Sequence, residues 1–224
     1  MTRIDALRAD ERLSPTRTAL RRATCAAHLR LHGHPSLAAL AAGAITQEQY
    51  RRLLARLYGF HLPLEQALIA AARRHGVDRL IRARTHLLAR DLVDLGADEE
   101  TIAALPMARR LEPRGHGEWL GALYVREGST LGAARLAAAL DPLLGAGVLR
   151  GRRFLSSGDE TVWRECCAAL EDGAARGLLP EMTEGARATF EAIELWLADQ
   201  NSTLSLPITV RGAAGKQIPE IDNC

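Results

Sequence analysis

Lysine is almost missing from this 224-residue chain, which has Lys216 as its only lysine among 29 basic residues. Nearly every cationic contact must therefore come from arginine. With 27 acidic residues the net charge is only +2, so the charge balance does not predict nucleic-acid binding. No apolar run approaches the roughly 20 residues that a membrane-spanning helix needs. We expect neither nucleic acid nor a membrane as a partner.

Cysteine is also scarce, with only Cys25, Cys166, Cys167 and Cys224. No CxxC pair occurs, and the adjacent Cys166 and Cys167 cannot form an unstrained bridge with each other. Free thiols fit a reducing compartment. The first eleven residues are charged and lack the apolar segment of a secretory signal. The sequence therefore predicts a cytoplasmic protein.

Strand signals are few, because aromatic residues make up only 4% of the chain and alternating β-branched runs are rare. The sequence predicts an all-α fold. Capping residues and Gly/Pro breakers delimit helical segments at about residues 14–31, 36–42, 46–74, 78–95, 117–140, 159–176 and 180–200, with a short turn at 98–105. Pro63 should kink the third segment. We predict one helical domain over residues 1–200 and a flexible or surface-wrapped tail over residues 201–224.

Two glycines interrupt the helix predicted at 117–140. Gly128 and Gly132 lie four residues apart, on one helix face, and bracket the hydroxyl of Ser129. Each mid-helix glycine costs roughly 0.5–1 kcal/mol relative to alanine. Such a cost suggests that something approaches this backbone closely. Both a large flat ligand and a neighbouring helix satisfy that requirement.

A histidine on the first predicted helix is a candidate metal ligand. His28 lies beside the apolar stripe of this helix, and a neutral imidazole can bind a metal ion or a heme iron. Arg21 is two turns earlier on the same face, where it could pair with a carboxylate at the edge of a porphyrin. His32, four residues after His28, could instead chelate a small metal ion with it. The remaining histidines are interpreted as solvated: His34, His61, His75, His86 and His116.

Two separated segments resemble one family. The segment LRRATCAAH at residues 20–28 resembles the proximal helix of heme oxygenases, where a pattern like LxxATxxxH carries the axial histidine. The segment YVREGSTLG at residues 124–132 is similar to the distal helix of bacterial, phytochrome-associated members, YVxEGSxLG. Between them, ITQEQY at 45–50 and LYGF at 57–60 resemble the family's third helix. The likeness covers roughly residues 15–200.

The resemblance implies a compact multi-helix fold with heme b sandwiched between a proximal and a distal helix. His28 would ligate the iron. Three residues would hold the heme propionates, and three would form the distal wall where catalysis occurs. The propionate partners are Arg21, Tyr124 and, by a loose alignment, Arg164; the distal residues are Gly128, Ser129 and Gly132. Many family members have aspartate where this chain has Ser129, so the group that organises distal water is not identified.

The resemblance also implies an activity. Heme oxygenases cleave heme at a meso carbon to biliverdin, carbon monoxide and ferrous iron, using O₂ and electrons from a ferredoxin or flavoprotein reductase. A phytochrome is a candidate recipient of biliverdin. Five arginines are candidates for docking an acidic donor: Arg126, Arg135, Arg150, Arg152 and Arg153. Two alternatives stay open: a heme carrier or sensor of the same fold, and a helical protein whose glycine pair serves only helix packing.

Overall fold

The protein is all-helical over the residues described by the structure, a computed structural model that covers residues 14–199. These residues form nine α-helices and one short 3₁₀ helix, and none of them forms a strand. The α-helices are α1 Pro15–His32, α2 Pro35–Ala41, α3 Gln47–His75, α4 Thr85–Asp94, α5 Glu99–Ala103, α6 His116–Ala138, α7 Asp141–Leu144, α8 Glu160–Ala175 and α9 Leu179–Ala198. The all-α prediction is confirmed. The predicted tail at 201–224 lies outside the described residues.

Local capping chemistry sets four helix starts where the sequence predicts them. Ser14 accepts from the Arg17 amide before α1, and a proline occupies the first turn. Thr46 and Gln49 form a reciprocal capping box at the start of α3. The carboxylates of Asp98 and Asp159 cap α5 and α8 in the same way.

The helix predicted at residues 78–95 is shorter in the structure. A 3₁₀ turn occupies Asp78–Leu80, and α4 begins only at Thr85. The Glu65 carboxylate on α3 accepts from the backbone amides of Arg84 and Thr85, at 2.6 Å and 3.2 Å. Because these amides have no carbonyl partner within the helix, the distant carboxylate decides where α4 starts.

The longest helix, α3, has 29 residues and continues through Pro63 without interruption. The proline therefore does not end the helix. Its length alone would suffice to span a bilayer. Nevertheless, α3 includes charged side chains such as Arg51 and Glu65, and no helix within residues 14–199 is both long and apolar enough to cross a membrane.

The packing of α6 on α9 is the closest helix contact and depends on glycine. A Cβ added at Gly121 would stand 2.0 Å from the Met182 carbonyl oxygen, and one at Gly185 would stand 2.2 Å from the Glu118 carbonyl oxygen. Such separations are shorter than any van der Waals contact, so only glycine permits this approach. Nearby, the fully buried Trp119 donates to the Leu68 carbonyl over 2.9 Å and joins α6 to α3.

Candidate functional site

His28 is exposed on α1, with its ring held between two neighbours. The Phe190 ring from α9 lies edge-on at 6.0 Å, and the Nε2 atom of His32 lies 3.1 Å from the Nε2 atom of His28. Partial burial of the ring, together with His32 and the charge of Arg21, lowers the pKa of His28. The imidazole is thereby held in its neutral form, which is the form that ligates metals.

Arg21 and Tyr124 come together although they belong to different helices. Burial raises the pKa of Tyr124, while the Thr24 hydroxyl and the charge of Arg21 act in the opposite direction. The Tyr124 ring also packs at 6.2 Å from Trp163 on α8. The α1 face that bears His28 and Arg21 therefore adjoins the middle of α6.

Arg164 is exposed on α8 and donates over 3.3 Å to the Thr161 hydroxyl of its own helix. The charge of Arg21 thus acts on Tyr124, whereas the hydrogen bond of Arg164 stays within its own helix. The preceding residue, Trp163, faces the site instead, and the sequence analysis did not identify it.

The glycine pair of α6 is not explained by helix packing. Among residues 14–199, a Cβ added at Gly132 would meet nothing within 4 Å, and one at Gly128 would meet only the Trp163 ring at an ordinary 3.7 Å. The packing glycines of α6 are Gly117 and Gly121, two or more turns earlier, where added Cβ atoms would collide with α9. Packing against the described helices therefore does not account for Gly128 and Gly132.

Ser129 is exposed, and its hydroxyl is already used within α6. It donates to the Arg126 carbonyl over 2.7 Å, and the Thr130 hydroxyl donates to the Glu127 carbonyl in the same way. A serine hydroxyl has one proton and two lone pairs. Ser129 can therefore accept a hydrogen bond from a neighbouring group while its proton stays on the helix.

A buried network of four charges lies directly before the glycine pair. Arg126 on α6 pairs with Glu65 on α3 at 2.6 Å and also contacts Glu127. Arg84 pairs with Glu127 at 3.4 Å and donates to the Arg126 carbonyl, which also accepts from Ser129. Two guanidiniums and two carboxylates cancel in charge, so the network can be buried at moderate cost. Arg126 and Glu127 are adjacent on α6, but Glu65 and Arg84 lie on other elements, so no local sequence pattern marks the network.

The prediction of an arginine docking surface is wrong for Arg126 and Arg152. The side chains of Arg126 and Arg152 are 2% and 5% exposed, because both make buried ion pairs and hydrogen bonds to backbone carbonyls. Arg153 pairs with Asp91 and Asp94, and Arg150 approaches Asp94 at 3.4 Å. These cations are largely neutralised by acids on α4.

Two histidines that were interpreted as solvated are not. The His61 ring on α3 lies 5.5 Å from Phe60 and 5.1 Å from Phe154. Burial, together with the charges of Arg126 and Arg84, lowers the pKa of His61 to about 3. His116 at the start of α6 stacks on Trp119 at 5.7 Å, and its pKa is lowered mainly by burial.

Two shallow clefts border α1, on the side that faces α9. One has a volume of about 730 Å³ and is lined by Pro15, Thr18, Ala19, Arg22, Ala23 and Arg187. The other, of about 350 Å³, lies near Gly33 and Leu197. Neither cleft is lined by His28, Gly128 or Gly132.

Comparison with known proteins agrees with this architecture. Residues 14–192 match the sequence model of the heme oxygenase family. The fold is similar to that of the NO- and CO-bound heme oxygenase from Neisseria meningitidis, with a TM-score of 0.59 and 22% sequence identity. The alignment covers 83% of this chain and 90% of that one. Comparison with curated protein sequences gives no match.

The all-helical fold of residues 14–199 and the family match together define this protein as an enzyme of heme degradation. The match extends over most of the chain, and the chain belongs to the heme oxygenase family. The prediction of an all-helical enzyme of heme degradation is confirmed.

Proposed function

We propose that heme b lies between α1 and α6, with His28 as the axial ligand of its iron and Gly128 and Gly132 as the opposite wall. The observation that supports this most strongly is the space at Gly132, where an added Cβ would meet none of residues 14–199 within 4 Å. Two glycines that cost helix stability without serving any packing contact are accounted for by a flat ligand lying against the backbone.

The chemistry of the surrounding residues fits heme. His28 offers a neutral imidazole, the usual nitrogen ligand of a histidine-bound heme iron. Arg21 and the Tyr124 hydroxyl offer the donors that two propionates require, since charge-assisted hydrogen bonds to carboxylates are strong. Arg164 is an exposed third candidate on the neighbouring helix α8. The match of donor types to the edges of a porphyrin favours this assignment.

Heme, when bound, supplies both the iron centre at which O₂ is activated and the meso carbon that is oxidised. The chain's own part is to bind, orient and control water. The bare backbone at Gly128 and Gly132 would let the flat ring lie close to α6, where a side chain would clash. Ser129 Oγ, fixed by its bond to the Arg126 carbonyl, would accept a hydrogen bond from a distal water and orient its remaining proton towards the ring.

The buried charge network is proposed to hold this distal turn in place. Arg126 and Arg84 both contact the segment that leads into Gly128, and Glu65 ties them to α3 and α4. A preorganised backbone of this kind needs no side-chain aspartate to define where the distal water sits. We propose that this network takes over the positioning role of the aspartate that other family members have at the Ser129 position.

The remaining assignments concern products and partners. We propose that the products are biliverdin, carbon monoxide and ferrous iron, and that electrons come from an external ferredoxin or flavoprotein reductase. The biliverdin would supply a phytochrome, or the reaction would serve iron recovery. We propose a reducing compartment such as the cytoplasm, which suits the unbridged thiols of Cys25 and Cys166.

A spectroscopic titration tests the proposal. Heme added to the purified protein should give a saturable Soret band, and ascorbate or a ferredoxin–reductase couple should convert it to a biliverdin spectrum. A stable complex that keeps its Soret band under these conditions would instead identify a heme carrier or sensor. His28→Ala should abolish the normal ligand-field bands, whereas the exposed control His86→Ala should not. An unchanged His28→Ala spectrum would refute the ligand assignment.

A further inference from the structure

The contact between His28 and His32 is the strongest unexplained feature near the heme site. The two Nε2 atoms lie 3.1 Å apart, and both side chains are exposed on α1. Phe190 packs edge-on against the His28 ring and limits its orientation. His32 is the last residue of α1 and is followed by Gly33. Its ring therefore lies at a helix end, where the chain is least constrained.

The separation of the two nitrogens suits a shared metal ion. Nitrogens that each lie about 2.0–2.1 Å from one ion, in near-tetrahedral geometry, stand roughly 3.3 Å apart. Histidines four residues apart on a helix are a known two-point chelate, and imidazole is a preferred ligand of Zn²⁺, Ni²⁺ and Cu²⁺. The observed 3.1 Å is close to this value, so the ion would replace the hydrogen bond between the two rings with little change in the distance between their nitrogens.

We propose that His28 and His32 bind one divalent transition-metal ion of the Zn²⁺ class in the heme-free protein, and that this ion and heme exclude each other. Within residues 14–199 no group of three or more His, Cys, Asp or Glu could hold a metal. Water therefore completes the coordination of this ion, and exposure of both rings gives water free access. The exclusion follows because His28 Nε2 cannot ligate two metals at once.

The exclusion rests on the proposed role of His28 in heme binding, whereas the ion site does not. Zinc held by the pair would make heme uptake depend on the concentration of free zinc. Conversely, heme binding would release the ion and free the His32 ring from its partner. Through this pair, heme binding to the enzyme would thus depend on the concentration of a second metal ion.

Calorimetric titration of the heme-free protein with Zn²⁺ tests the site. The expected result is one site that His32→Gln weakens at least tenfold. His75→Gln provides the matched control, because His75 also has a histidine neighbour, His116, at a ring separation of 5.0 Å. This control should retain the wild-type site. Equal affinities of wild type and His32→Gln would overturn the proposal, as would a loss confined to His75→Gln.

Heme titration with and without saturating Zn²⁺ tests the exclusion. Zinc should lower the apparent heme affinity of the wild type at least tenfold and should have little effect on that of His32→Gln. An unchanged wild-type affinity in saturating zinc would contradict the exclusion. The two failures are distinguishable: a protein that binds zinc through the pair but never binds heme would refute the proposed heme site and leave the ion site standing.

Discussion

Arg126 donates from Nη2 to the Glu65 carboxylate over 2.6 Å, and both side chains are almost completely buried. The pair joins α6 to α3 at the turn that precedes Gly128. It also connects to the start of α4, because the same carboxylate accepts from the Arg84 and Thr85 amides. One buried carboxylate therefore orders three helices beside the proposed distal wall.

Replacing Arg126 by Gln should strongly destabilise the protein. The change leaves two buried carboxylates with Arg84 as their remaining cation, and breaking a buried pair costs about 3–5 kcal/mol. Arg52→Gln is the matched control, because Arg52 pairs with Glu48 on an exposed face and should change stability by less than about 1 kcal/mol. Urea unfolding followed by circular dichroism gives both values. Similar losses in the two variants would contradict a structural role for the network.

His61 should make the protein sensitive to acid. Its pKa is lowered from an ordinary 6.5 to about 3, so below pH 6.5 the unfolded chain takes up a proton that the folded protein does not. As the pH drops from 6.5 to about 3, His61 should therefore lower the free energy of unfolding by about 1.4 kcal/mol per pH unit. His61→Gln should remove this contribution. Urea unfolding at pH 7 and pH 5 measures the difference, and equal pH slopes would show that His61 titrates normally.

Gly132→Leu should separate heme binding from stability. A Cβ added there would meet none of residues 14–199 within 4 Å, and leucine is a better helix former than glycine by roughly 0.5–1 kcal/mol, so the melting temperature should stay or rise. The same side chain would occupy the proposed heme surface. Heme affinity and turnover should fall at least tenfold in the absorbance titration. Wild-type heme affinity in this variant would remove Gly132 from the heme wall.

The control for this experiment is Gly121→Ala. Its added Cβ would stand 2.0 Å from the Met182 carbonyl oxygen, so α6 and α9 must separate and the melting temperature should drop. The two glycine substitutions should therefore shift stability in opposite directions. A stable Gly121→Ala protein would show that the α6–α9 contact can relax.

Arg21 and the adjacent Arg22 should differ in their effect on heme. Arg21 approaches Tyr124, whereas Arg22 lines the cleft on the α9 side of α1. Loss of one charge-assisted bond to a propionate should cost at least about 1.5 kcal/mol, or roughly tenfold in heme affinity. Arg21→Gln should show this loss and Arg22→Gln should not. Equal effects of the two substitutions would point to general electrostatic attraction instead of a propionate contact.

Much of the fold could be predicted because helix ends are local. Ser14, Thr46, Asp98 and Asp159 cap helices within three residues of themselves, and sequence patterns report such contacts directly. The start of α4 could not be predicted in this way. It depends on Glu65, which lies 19 residues earlier on another helix.

The candidate site likewise contains residues that local sequence motifs predict and residues that they do not. His28, Arg21, Tyr124 and the glycine pair lie in two short motifs, so their types and spacing were visible. The buried charge network was not, because its members lie on separate elements and each resembles an ordinary surface charge. For the same reason Arg126 and Arg152 were wrongly assigned to a docking surface, since a charge pattern does not reveal which acid lies opposite.

The double role of Glu65 also bears on the order in which the chain folds. Its contact with Arg84 closes a loop of 19 residues, whereas its contact with Arg126 closes one of 61. Loop-closure entropy makes the shorter contact cheaper to form, so we expect α3 and α4 to associate before α6 joins them. Until α6 arrives, the Glu65 carboxylate has its amide partners but no buried cation. The segment of α6 that carries Gly128 and Gly132 is therefore among the last parts of the molecule to reach its native packing. Helix α3, which carries the Glu65 carboxylate, packs earlier.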